Sequence, residues 1–162
     1  IFAYFDDDSV VTNVARSLLA GIEVSRINKS VNATLGSVEI RRYILISTGE
    51  ALVGNFGGLD SSVEITALGS PVNFLSRVDD LTKEPELSLR LTPGDLIVCE
   101  NTARQAMGLG IEINFDVIDL QELGLSVRDF PEVDTLYKLT PTDEVYDSLL
   151  NAVRNRMTNQ IA

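Results

Sequence analysis

Apolar positions change their spacing several times along the chain, and each change marks an element. After FDDDS, Val11, Val14, Leu18 and Ile22 recur at the spacing of one buried helical face, with the acidic run supplying N-cap candidates. This predicts a first helix from about Ser9 to about Lys29. SVNATLGS then reads as loop. EIRRYILIST is rich in β-branched and aromatic residues and continues past Thr48, Gly49 and Glu50 into ALVGNFGG, which predicts two strands joined by a tight turn. SSVEITAL alternates apolar and polar positions as a half-buried strand does. Pro71 follows in its favoured place, the first turn of a helix. Leu96 to Val98 predicts a short strand, and Glu100 or Asn101 the cap of a short helix. INFDVIDLQELGLSVRDF and EVDTLYKL read as a closing group of strands. Val145, Leu149, Val153 and Met157 recur every four residues after Thr142 and Asp143, which predicts an amphipathic helix that packs on the domain or on a partner. At the other end, IFAYF is strand-like and is expected to be the tail of a strand begun before Ile1.

Hairpin-like strand pairs between helices predict an α+β sandwich with helices over a largely antiparallel sheet. The chain has 162 residues, 44% of them hydrophobic, enough to bury one sizeable core. With no internal repeat, low-complexity tract or linker, residues 1–140 are assigned to one domain and 141–162 to the C-terminal amphipathic helix.

Charge and composition narrow the chemistry. A net charge of −11 argues against general affinity for nucleic acid or an anionic membrane surface, so an anionic substrate would need a local cationic pocket. The sequence contains no histidine, which excludes a serine hydrolase with a histidine base and a Cys/His zinc site. Cys99 is the single cysteine, so no intramolecular disulfide forms. No apolar run reaches the roughly 20 residues that span a bilayer, and no basic segment precedes an apolar one at the start. The expectation is a cytoplasmic domain without membrane insertion.

The stretch EITALGSPVNFLSRVDDLTK places Asn73 and Arg77 four residues apart just after a Gly-Ser-Pro break. At i and i+4 they share one helical face, while Val72, Leu75, Ser76 and Val78 take other directions. A guanidinium and an amide side by side suit a ligand with phosphate oxygens and a sugar oxygen to be oriented. Taken alone, the pair reads first as a surface arrangement in which Arg77 pairs with Asp80 or Glu84 and Asn73 decorates the helix, since exposed ion pairs are common and of little consequence. FDDDS has clustered carboxylates of the kind that hold Mg²⁺, yet it is better placed to cap the following helix. GNFGG lacks the Gly-Lys-Ser/Thr ending of a phosphate loop and reads as a hairpin turn.

The run TGEALVGNFGG followed by EITALGSPVNFLSRVDDLTK resembles the class III nucleotide cyclases. Their catalytic domains carry a Thr-Gly-Glu turn, a Gly-Asn-x-Gly hairpin and a Gly-x-x-Val-Asn-x-x-x-Arg helix. The resemblance extends from IFAYF to the closing strands, is strongest from Ser47 to Lys83, and leaves the C-terminal helix outside. It implies a ferredoxin-like cyclase fold over 1–140, N-terminally incomplete. It also implies conversion of a nucleoside triphosphate to the 3′,5′-cyclic monophosphate and pyrophosphate. Asn73 then resembles the asparagine that orients the ribose, and Arg77 the arginine that stabilises charge on the α-phosphoryl group. Thr66 falls where the family reads the base edge. Arg128 in SVRDF falls where a Leu-Lys-Gly segment supplies a lysine to the triphosphate. The aspartate common after the first motif glycine is Ser70 here. The family's two metal aspartates would lie before Ile1, holding two Mg²⁺ or Mn²⁺ ions. The resemblance further implies a head-to-tail homodimer with composite sites. ATP is the first expectation for substrate. The alternatives are a uridylate or cytidylate cyclase making cUMP or cCMP as a signal in bacterial antiviral defence, and a catalytically inactive pseudo-cyclase serving regulation or dimerisation.

Overall fold

Helix α1 spans Val10–Leu35 in the computed structural model, which describes residues 3, 5, 10–55, 65–110 and 112–159. Most of IFAYF and FDDDS lies outside the described residues, with the strand and cap expected there; Ala3 and Phe5 are described and belong to no strand. The helix runs about a turn and a half beyond Lys29, so SVNATL, read as loop, is helical. The physical reason is where its polar side chains bond. Asn32 donates to the Ile40 carbonyl at 3.0 Å and accepts from the Ile40 N–H at 2.9 Å, so it clamps the returning chain instead of competing with its own backbone. Gly36, at φ 66°, then takes the left-handed conformation that closes the helix.

The remaining elements are β1 (Ile44–Ile46), β2 (Leu52–Asn55), β3 (Ile65–Leu68), α2 (Ser70–Leu81), α3 (Pro85–Ser88), β4 (Leu96–Val98), α4 (Glu100–Met107), β5 (Asp116–Asp119), β6 (Thr135–Leu139) and α5 (Asp143–Asn159). Four strands form a mixed sheet in the order β1-β4-β6-β5, and β2 and β3 form a separate two-stranded ribbon. The β1–β4 pair is parallel, with Ile44 opposite Leu96, while β4–β6 and β5–β6 are antiparallel. The expected hairpin of β1 with β2 is therefore corrected. β2 pairs antiparallel with β3, Leu52 opposite Leu68, and Thr48-Gly49-Glu50 links the two sheets. The reason lies in β1 itself. Ile44 and Ile46 pack into one apolar cluster and Tyr43 and Leu45 into another, so this segment is apolar on both faces and belongs between layers.

Alternation along β4 divides the core in two. Leu96 and Val98 face Val14, Leu18 and Ile22 of α1, Ala103 and Ala106 of α4, and Leu149 and Val153 of α5. Ile97 faces Phe74 and Val78 of α2, Leu87 of α3, and Ile118 and Leu136 of the neighbouring strands. The result is an α+β arrangement with helices on both faces of the four-stranded sheet. The C-terminal helix is part of the first layer: Arg26 of α1 donates to Asp143 at 2.7 Å and lies over the Tyr146 ring at 3.9 Å. Among the described residues, no helix is long and apolar enough to cross a membrane.

Candidate functional site

Two glycines bring the conspicuous motifs of the sequence together. A Cβ on Gly69 would stand 2.9 Å from the Glu50 carbonyl oxygen and 3.2 Å from Ala51 Cα, and one on Gly49 would stand 2.7 Å from Pro71 Cγ. The β3–α2 corner can thus lie against the link between the sheets only while both positions lack side chains. Gly69 also has φ 147°, and its carbonyl accepts from the Val72 and Asn73 N–H groups, each at 3.1 Å. The first turn of α2, with Pro71 inside it as expected, is fixed from that corner.

Phe74 and Val78 are the buried residues of α2. Asn73 and Arg77 flank that buried stripe, one turn apart on the same side, with Asn73 exposed and Arg77 half-buried. The Asn73 amide makes no hydrogen bond to the described residues. Arg77 is held: its Nε and Nη2 both donate to Asp129 Oδ2, at 2.9 Å and 2.8 Å. Arg77 is therefore in an exposed ion pair, as the surface alternative had it, but its partner is Asp129, 52 residues on in sequence, and not Asp80, which pairs with Lys83 at 3.0 Å. That Lys83 contact holds the Asp80 carboxyl below its ordinary range, with smaller contributions from the charges of Arg128 and Arg77.

Asp129 reaches Arg77 because its loop is anchored on α2. Val127 is buried in the same cluster as Phe74, and Phe130 meets Phe74 edge to face at 5.4 Å. Arg128 sits beside it, exposed, with Nε 3.8 Å from the same Asp129 Oδ2. Arg77 and Arg128, predicted from separate segments, thus converge on one carboxylate oxygen, and Asn73 stands one helical turn away. Thr66 lies apart from them in the β2–β3 ribbon, opposite Gly54, and no hydrogen bond joins it to Asn73, Arg77 or Arg128.

A wide cleft of about 1220 Å³ runs along β1 between α1, the 47–51 link and α2. Its α2 lining is Pro71, Val72, Leu75 and Asp79. At 100° per residue these side chains point about 150° away from Asn73 and Arg77, so the cleft and the guanidinium pair occupy opposite flanks of α2.

Sequence reasoning missed one polar junction. Cys99, one residue before the expected caps, is the N-cap of α4 and accepts from the Thr102 N–H at 3.5 Å. The Thr102 hydroxyl lies 3.1 Å from the sulfur and Ser47 donates to it at 3.6 Å, while Asn101 donates to the Thr48 carbonyl at 3.0 Å. Burial pushes the Cys99 thiol up, but the hydrogen bonds from Thr102, Thr48 and Ser47 outweigh it, and its pKa falls below the ordinary value. Cysteine is not among the favoured caps, so composition gave no signal of this role.

Among the described residues, no group of three or more His, Cys, Asp or Glu side chains gathers as a metal site would require. Asp6, Asp7 and Asp8 lie outside the described residues. No protein-family model matches the chain, and no curated protein matches it.

Proposed function

We propose that this chain is the catalytic part of a nucleotide cyclase, converting a nucleoside triphosphate to its 3′,5′-cyclic monophosphate and pyrophosphate. The observation that carries the reading is the shared flank of α2: Asn73 exposed and without a hydrogen bond to the other described residues, Arg77 half-buried one turn on, and Arg128 brought beside Arg77 from a loop about fifty residues away in sequence. Two guanidiniums are suited to phosphate oxygens, and an amide is suited to a sugar oxygen. In the reaction the ribose 3′-oxygen attacks the α-phosphorus as the bond to pyrophosphate breaks. Arg77 stabilises charge developing on the α-phosphoryl oxygens, Asn73 orients the ribose, and Arg128 holds the outer phosphates.

The loop geometry adds support. Asp129 stands where the resemblance places the glycine of its Leu-Lys-Gly segment, and its φ of 70° lies in the left-handed region that glycine favours. We take the α+β arrangement as the ferredoxin-like cyclase fold, and the protein as a homodimer in which the partner supplies the rest of each site. The metal aspartates of the resemblance are to be sought in the coding sequence upstream of Ile1. The Thr66 hydroxyl can donate or accept, so it suits adenine or a pyrimidine edge. ATP is the first reading and UTP or CTP the second.

Incubating the full-length protein with each of the four ribonucleoside triphosphates and Mn²⁺, then separating products by chromatography, tests the proposal. One cyclic monophosphate should accumulate with stoichiometric pyrophosphate. No cyclic product from any triphosphate refutes it, and nucleotide binding without turnover would favour the pseudo-cyclase.

A further inference from the structure

The geometry points to Asp129 as an internal anion that occupies the guanidinium site and gives it up only to a polyphosphate. This rests on the reading of Arg77 and Arg128 as the contacts of the triphosphate.

One oxygen, Oδ2, accepts from both Nε and Nη2 of Arg77 and lies 3.8 Å from Arg128 Nε. A phosphate oxygen would seek that same position between two cations. The backbone of Asp129 is held at φ 70°, and it is the one non-glycine residue with positive φ among those described. A glycine adopts this conformation freely, and aspartate is among the few other residues that visit it. What the aspartate provides is its carboxylate, placed on Arg77.

The plug is displaceable. The Asp129 side chain is 60% exposed and that of Arg77 28%, so both reach solvent, and exposed ion pairs are weak. Asp80, whose carboxyl pKa is lowered slightly by the charges of Arg128 and Arg77, makes its own contact with Lys83 at 3.0 Å. A triphosphate, with three or more charges, out-competes a single carboxylate. A cyclic phosphodiester carries one charge and does not. Asp129 therefore biases the site toward substrate and against product.

The test is isothermal titration of the chain with inorganic tripolyphosphate at low ionic strength and without divalent ions. Asp129→Asn keeps the side-chain shape and tolerates positive φ, while Asp129→Gly removes the side chain and relaxes the backbone. Both variants should bind about two- to fivefold tighter than the parent, the effect of removing the competing partner of an exposed ion pair. In an Arg77→Ala background the gain should vanish. If neither variant binds tighter than the parent, including the case in which none binds, Asp129 is not a plug. Tripolyphosphate has no ribose, so the outcomes separate: tightening without any cyclic product from nucleotides sinks the cyclase reading alone, and cyclic product without tightening sinks the role of Asp129 alone.

Discussion

Gly69→Ala is the sharpest test of how the site is positioned. Gly69 has φ 147° and ψ 173°, a region essentially reserved for glycine, which costs another residue about 1–3 kcal/mol. The added methyl would also meet the Glu50 carbonyl oxygen at 2.9 Å and Ala51 Cα at 3.2 Å. Both are backbone atoms that cannot swing aside, so the overpacking adds about another 1–2 kcal/mol. The expected loss is about 2–5 kcal/mol in total. Gly36→Ala is the control, because Gly36 also has positive φ, 66°, but its Cβ would meet nothing within 4 Å. That change should cost about 1–2 kcal/mol. Urea unfolding by linear extrapolation measures both, with a lower midpoint at constant slope as the expected signature. Losses equal to within about 0.5 kcal/mol, the spread of an ordinary surface change, would refute the claim that the corner is tightly apposed to the link between the sheets.

Two further outcomes follow from other parts of the fold. Leu149→Ala, at a fully buried position of α5 facing α1, should destabilise the protein by about 2–5 kcal/mol in the same unfolding assay; a loss under about 0.5 kcal/mol would mean that α5 is not part of the core. Alkylation of Cys99 by iodoacetamide should have its pH midpoint below that of an unstructured cysteine peptide measured alongside, and Thr102→Val, which removes the hydroxyl 3.1 Å from the sulfur, should raise it. The sign follows from linkage: a thiol pKa lowered by folding contributes stability above the ordinary thiol value, and that contribution is lost as pH falls through the folded one. An unmoved midpoint in Thr102→Val would contradict the assignment of its hydroxyl.

Where local spacing and burial agree, the sequence announces the element. The Val11-Val14-Leu18-Ile22 stripe, Pro71 at the start of α2, the Leu96–Val98 strand and the Val145-Leu149-Val153 stripe all reappear as buried faces or element starts. Partner choice is not local, and there the reading failed. The apolar run Ile44–Ile46 suits a strand covered on both faces, but it does not name the partner, a strand about fifty residues later with which it pairs parallel. The extension of α1 was hidden for a similar reason: Asn32 looks like a helix breaker until Ile40 returns to bond with it. At the proposed site, the shared face of Asn73 and Arg77 was legible because helical periodicity alone puts them together. Asp129 was not, because its importance comes from a loop folded onto α2 through Phe130 and Phe74.

The central claim is that the Asn73–Arg77 flank handles a reacting triphosphate, and turnover of the full-length protein by its Arg77→Ala variant tests it most directly. With Mn²⁺ and the preferred nucleotide, the rate of cyclic monophosphate formation should fall by about 10²-fold or more, the usual cost of removing one donor to a developing charge. Cyclic product formed at close to the parent rate would contradict the account.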